Sequence, residues 1–213
     1  MKERPIPFRP GMVKAILENR KTMTRRPIKP QPEFISLERR DDYYFWNVQW
    51  KDHAHFGGGG VNGITKFLKC PYGIPGDRLW VRESFWCVDL PDMCDTPCLL
   101  YEDEFERYQQ NTNGFEIRPC SFKFGHHPSI HMPRWVSRIT LEITNVRVER
   151  LQDIMEEDAG REGVDWYAIE NKLCNVGRCR QAFQRLWDSA YSNFNLWSFN
   201  PWVWVIEFKR IKP

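Results

Sequence analysis

The sequence predicts an α+β fold that is mainly β: a small barrel of mixed or antiparallel strands, with helices at its periphery and two loop insertions. Three observations carry this reading. Short or alternating apolar runs mark about six strands. Apolar residues at helical spacing mark about three helices. These helices do not alternate with strands in a βαβ pattern, and no segment repeats. The 213 residues are enough to bury a core and fit one domain with insertions. We read residues 1–213 as that domain, with insertions at about residues 30–69 and 87–128.

Ile6 to Arg9 reads as a short strand. Pro10 and Gly11 open a helix with Val13, Ile16 and Leu17 on one face. Lys21 to Ile28 is a strand, ended by the prolines of Lys29-Pro30-Gln31-Pro32. The first insertion carries Tyr43-Tyr44-Phe45-Trp46 and Trp50, which suit a small hairpin, and then the flexible run Gly57 to Gly60. Pro75-Gly76 suits the centre of a type II turn. The strand that follows, Arg78 to Trp86, places Leu79, Val81 and Glu83 on one side. The second insertion is acidic in its first half and reads as a solvated lid or loop. Ser137 to Arg150 alternates as two short strands or as one bent at Asn145. Asp153 to Gly163 reads as a helix stopped by Gly163. Val176 to Tyr191 is a stronger helix, with Phe183, Leu186, Trp187 and Ala190 at helical spacing. Trp202 to Phe208, apolar on both faces, closes the chain as an interior strand.

A formal net charge of +3 does not predict a long nucleic-acid track, which usually needs a strongly basic face, but leaves room for a local basic pocket. Of the ten Trp, most should pack in the core and a few could stack on bases. Seven Cys, with a polar start and no apolar run of membrane length, read as free thiols in a reduced, cytoplasmic protein. No membrane association and no cofactor are expected.

The densest chemistry lies in Lys21-Thr22-Met23-Thr24-Arg25-Arg26. Strict alternation separates Lys21 and Arg25 from Thr24 and Arg26. The corner between helix and strand can relax that rule and bring Lys21 and Thr24 to one pocket. An amine, a hydroxyl and several guanidiniums could serve as nucleophile chemistry, as an anion clamp, or as a wet edge strand. Arg20, Lys21, Arg25, Arg26 and Lys29 form either a phosphate site or a solvated basic patch.

Other candidates stand further along. His131 sits between prolines 128 and 133 and could act as acid or base or hold a base edge, and a structural role is the plain alternative. Arg134 could meet a phosphate and Trp135 could stack on a base. Glu83 falls on an apolar strand face and needs a partner, either in a pocket or in a structural ion pair. Cys94, Cys98 and Cys120 with His126 or His127 lack a strong finger spacing, and no metal site is expected.

Gly11 to Arg26 resembles the helix-to-strand signature of ASCH-domain proteins, in which an (N/G)-R-K-T-x-T-R run is typical. Gly76 to Glu83 resembles their G-D-x-L-x-V-x-E strand, Leu151 to Gly163 their helix ending in an E-G-like pair, and Trp204 to Phe208 their closing V-I-E-F strand. Cys70 to Glu83 and Pro128 to Trp135 are similar to runs in larger phage- and prophage-borne members. The resemblance implies a PUA-like β-barrel that binds RNA or modified nucleosides. One small bacterial ASCH group hydrolyses cytidine acetylated on its exocyclic amine, using a Lys and a Thr of the K-T-x-T run and a Glu late in the following helix. Those positions match Lys21, Thr24 and Glu162. Other members are described as nucleic-acid binders or ribonucleases, and fold alone does not choose among them.

The expectation is therefore a nucleotide- or RNA-binding protein, with deacetylation of N-acetylated cytidine as its leading activity. Lys21, Thr24 and Glu162 are the catalytic candidates. Arg25, Arg26, Glu83, His131, Arg134 and Trp135 are the candidates for holding a nucleoside or a single strand, RNA before DNA. A non-catalytic single-strand or modified-base module is the first alternative. A metal-independent ribonuclease using His131 and Lys21 is the second.

Overall fold

The computed structural model describes residues 1–32, 34–40, 43–49, 66–89, 97–109, 118–164, 178–191 and 196–211. The chain runs β1 (Glu3–Pro7), α1 (Pro10–Leu17), β2 (Met23–Pro27), β3 (Phe34–Arg40), β4 (Tyr43–Gln49), β5 (Lys66–Leu68) and β6 (Arg78–Arg82). It continues through β7 (Phe85–Val88), β8 (Cys98–Tyr101), α2 (Glu102–Gln109), β9 (Gly125–His127), β10 (Thr140–Arg150), α3 (Glu156–Arg161), α4 (Arg178–Ala190) and β11 (Trp202–Ile211). Trp50, Gly57 to Gly60, Cys94 and Val176 lie outside the described residues.

The main sheet has five strands in the order β1-β6-β10-β11-β2. β1 runs parallel to β6, and the other neighbours are antiparallel. β10 is one long strand whose register shifts between Ile143 and Asn145, which is the bend expected there. β11 is interior, as its two apolar faces require. Trp204, Ile206 and Phe208 join Ile6, Phe8, Val13, Ile16, Leu79 and Val81 in one core layer under α1. Val203 and Val205 face the other way, into Met23, Phe183 and Trp187 under α3 and α4. The period of two in a strand thus divides β11 between two cores.

The α+β class matches the expectation. The sheet's closure into a barrel is not seen among the described residues, where β1 and β2 are separate edges. The edges approach at one point, where the Arg26 guanidinium donates from Nη2 to the carbonyl of Pro7 at 2.6 Å. Prolines 5 and 7 in β1 and proline 27 in β2 lack the N–H groups that would continue the ladder.

Two smaller sheets hold β3-β4-β5 and β8-β7-β9. The first contains the expected hairpin. The second corrects the reading of residues 87–128 as a solvated lid. Cys98, Leu99, Leu100 and Tyr101 are all buried, and Tyr101 donates its hydroxyl proton to the carbonyl of Val136 at 2.5 Å. The acids there are neutralised from a distance: Glu104 pairs with Arg118 at 2.8 Å and Asp103 with Arg138 at 2.6 Å. Cys98 is disulfide-bonded, against the expectation of free thiols throughout, while Cys70, Cys87, Cys120 and Cys179 are free. Among the described residues no helix is long and apolar enough to cross a membrane.

Ile206 is fully buried at the centre of the first core, whereas the Lys209 side chain is 61% exposed and pairs with Glu142 at 2.9 Å. Ile206→Ala should lower the unfolding free energy by about 2–5 kcal/mol. Lys209→Ala should change it by less than about 1 kcal/mol. Urea denaturation of both variants checks this, and equal effects would contradict the two-layer packing.

Candidate functional site

The site begins at the end of α1. Asn19 takes the left-handed conformation (φ 58°), which Asn tolerates. The chain then doubles back, so that the amides of Arg20 and Lys21 both donate to the carbonyl of Ala15, at 2.8 and 3.0 Å. Lys21 therefore precedes β2 and forms an isolated antiparallel bridge with Glu162, at the end of α3. The strand alternation that would send Lys21 away from Thr24 does not apply at this corner.

Glu162 and Lys21 meet in the interior. Lys21 Nζ donates to the Glu162 carbonyl at 2.7 Å and to its Oε2 at 2.8 Å, and neither side chain is more than 3% exposed. Glu162 Oε1 accepts from Arg25 Nη1 at 3.3 Å. Arg25 Nη2 reaches Asp158 at 3.0 Å and Glu149 at 3.1 Å, and Arg147 binds both of those acids. One carboxylate is thus clamped between an ammonium and a guanidinium, and the guanidinium is braced from behind. Burial pushes the Lys21 amine below its ordinary range; Glu162 opposes that shift, and Arg26 and Arg25 add to it. Once deprotonated, the amine spends both its N–H groups on Glu162 and keeps its lone pair.

Gly163 permits this approach. Its φ is +85°, and a Cβ there would lie 2.8 Å from Lys21 Cβ and 2.9 Å from Ala15 Cβ. The glycine that reads in sequence as a helix stop is also the gap through which Lys21 reaches Glu162.

Glu162 and Arg25 line a cavity of about 210 Å³ together with Thr24 and Arg26. Phe8, Trp187 of α4 and Tyr191 just beyond it supply aromatic walls. Thr24 is 4% exposed, and among the described residues no hydrogen bond ties down its hydroxyl. The Lys21 amine lies behind Glu162, 5.6 Å from the Phe8 ring centre, and is not itself a lining group. The cavity therefore presents the Thr24 hydroxyl, a carboxylate backed by an amine, the three guanidiniums of Arg9, Arg25 and Arg26, and flat apolar surfaces.

The other sequence candidates lie elsewhere. Glu83 is held by Arg138 through two bonds, at 3.0 and 2.9 Å, in a structural ion pair outside the cavity. Burial raises its carboxyl above the usual range, against the pull of Arg138. His131 is exposed in the 3-10 turn Ser129–His131, and only Ser129 of that turn reaches the cavity. Arg134 bonds Glu3 at 3.0 Å. Trp135 is 67% exposed and stacks on Phe122 with ring centres 5.7 Å apart. His131 and Lys21, the pair needed for a ribonuclease, are not brought together. The alternative zinc set is also split: Cys98 is disulfide-bonded, Cys120 Sγ lies 2.9 Å from Cys87 Sγ, and the ring of His127 contacts the Lys123 carbonyl at 2.7 Å.

Sequence reasoning missed Asp158, Glu149 and Arg147 behind Arg25, and missed Phe8 as a wall. The aromatic residues of α4 were visible as a helical face, but read only as core. No family model, curated protein or solved structure matches this chain.

Two outcomes follow for this cluster. Gly163→Ala combines a left-handed backbone with a steric clash, and should lower the unfolding free energy by about 1–3 kcal/mol in denaturant titrations. An unchanged midpoint would contradict the contact with Lys21. Because the Lys21 amine is lowered in the fold from 10.5, the unfolded chain holds more protons between the folded value and 10.5. This group's contribution is full above 10.5 and is lost as pH falls through the folded value. Lys21→Met should remove that rise of stability with pH; identical slopes in the two proteins would contradict the lowered amine.

Proposed function

We infer that this is a PUA-like, ASCH-type cytoplasmic protein that takes a nucleoside or a nucleotide of single-stranded RNA into the cavity, and that it hydrolyses an N-acetylated cytosine there. The observation that carries this reading is the buried Lys21–Glu162 pair set behind a cavity that exposes the Thr24 hydroxyl. The resemblance of the Lys21 to Arg26 run adds to it.

An acetylated exocyclic amine is an amide, and its cleavage needs a nucleophile, proton transfer and a stabilised oxyanion. In this reading Thr24 Oγ1 attacks the acetyl carbonyl, and its proton passes to the Glu162–Lys21 pair. The developing oxyanion is met by guanidinium charge from Arg25 or Arg26. The pair returns the proton to the exocyclic nitrogen as the C–N bond breaks, releasing cytidine. Water then attacks the acetyl-Thr24 ester, giving acetate and the free hydroxyl. The aromatic walls accept the flat face of the base. Each well-placed proton transfer contributes roughly 100- to 10,000-fold.

A second reading is a non-catalytic modified-base or single-strand module. It is favoured by the place of the Lys21 amine, which is saturated by Glu162 rather than bonded to Thr24.

Chromatography of acetylated cytidine incubated with wild type and with Thr24→Val decides between them. The expected result is release of cytidine by wild type, reduced at least about 1,000-fold in the variant. Thr24→Val keeps the volume and leaves the buried ion pair intact, so loss of folding does not obscure the result. Equal rates would overturn the mechanism. Binding of the base without turnover would establish the second reading.

A further inference from the structure

A second cavity, of about 390 Å³, lies against the first and shares Arg26 and Tyr191 with it. Among the described residues its charged lining groups are Arg26, Lys29 and Lys69, and none is acidic. Tyr72 and Trp204 also line it. The basic run seen in the sequence separates here. Lys21 and Arg25 are spent on buried carboxylates, and Arg20 is spent on Glu18 at 2.7 Å. Arg26 and Lys29 remain, and Lys69, which follows the first insertion, joins them. Among the described residues neither lysine is paired with an acid.

Arg26 is the partition between the two spaces. It donates from Nη2 to the Pro7 carbonyl and from Nη1 to the Tyr191 hydroxyl, and its guanidinium lies 5.2 Å from the Phe8 ring centre. Among the described residues its buried Nε has no hydrogen-bond partner. A buried donor without an acceptor is costly and calls for one. Three cations without an acid, one of them carrying an unspent donor, make a place for a compact anion that presents several oxygens.

We propose that the Arg26–Lys29–Lys69 cavity is a phosphate subsite, which takes the phosphate of a nucleotide whose base occupies the first cavity. This rests on the base-binding reading above and narrows its ligand from a free nucleoside to a phosphorylated one, either a mononucleotide or one residue of a strand. Both spaces border Arg26 and Tyr191, so a nucleotide with its base in one and its phosphate in the other would cross beside those two side chains.

The test is isothermal titration of wild type and of the double variant Lys29→Gln, Lys69→Gln with cytidine, cytidine 5′-monophosphate, cytidine 3′-monophosphate and inorganic phosphate. Both lysines are exposed, so the double variant should fold. In wild type at least one monophosphate should bind about tenfold or more tighter than cytidine, and in the double variant that ratio should fall to about one. The preferred monophosphate tells which side of the ribose faces the partition. Equal affinity for cytidine and both monophosphates in wild type would overturn the subsite and leave the base cavity standing. Binding of inorganic phosphate that the double variant loses, with no gain from an attached cytidine, would keep the anion site and overturn the base cavity. Failure of every probe to bind would overturn both.

Discussion

The arrangement depends on one buried contact, the clamp of Glu162 between Lys21 and Arg25. Taking these charges out of water is unfavourable, and attraction compensates only where the geometry is good and the remaining donors are satisfied. Here one carboxylate oxygen faces each cation and a backbone carbonyl accepts a second bond from Lys21, while among the described residues Arg25 Nε has no partner. Removing one partner of such a cluster costs about 3–5 kcal/mol, because the others are left buried and uncompensated. The clamp fixes where α3 ends relative to β2, and so sets the depth of the cavity between β2 and α4.

Beyond the clamp the charges continue outward in steps. Arg25 leans on Asp158 and Glu149, these lean on Arg147, and Arg147 and Arg161 both reach Glu207 on β11. Exposure increases along this path, from 0% for the Arg25 side chain to 29% for Arg147 and 37% for Arg161. The inner members are therefore shielded from salt while the outer ones are screened. A ligand that draws on Glu162 acts on a carboxylate already held from two sides, which keeps its orientation fixed as protons move.

Much of the fold was legible because it follows from periodicity. The two-faced apolar run of β11 could only be an interior strand, and the bend of β10 at Asn145 interrupts a regular alternation. The second insertion was not legible. Its acids read as a solvated face because composition does not show their partners, Arg118 within the insertion and Arg138 beyond it. At the site, Lys21, Thr24 and Glu162 could be singled out by residue type and resemblance, but not by alternation, which the left-handed Asn19 corner overrides. Glu83 illustrates the opposite difficulty. An acid on an apolar strand face signals a buried partner, and nothing local distinguishes a ligand pocket from an arginine already in the fold. The two cavities were hidden for a similar reason, since each joins β2 to segments distant in sequence.

The bridge between Lys21 and Glu162 joins residues 141 positions apart. A contact of that span carries a larger loop-closure cost than the short-range pairings around it. The reactive constellation therefore has no local precursor. Neither half of the polypeptide holds it alone, and a nascent or nicked chain would carry every residue of the site without the site itself. Whatever binds the assembled site and not the open chain would stabilise the closed form by mass action.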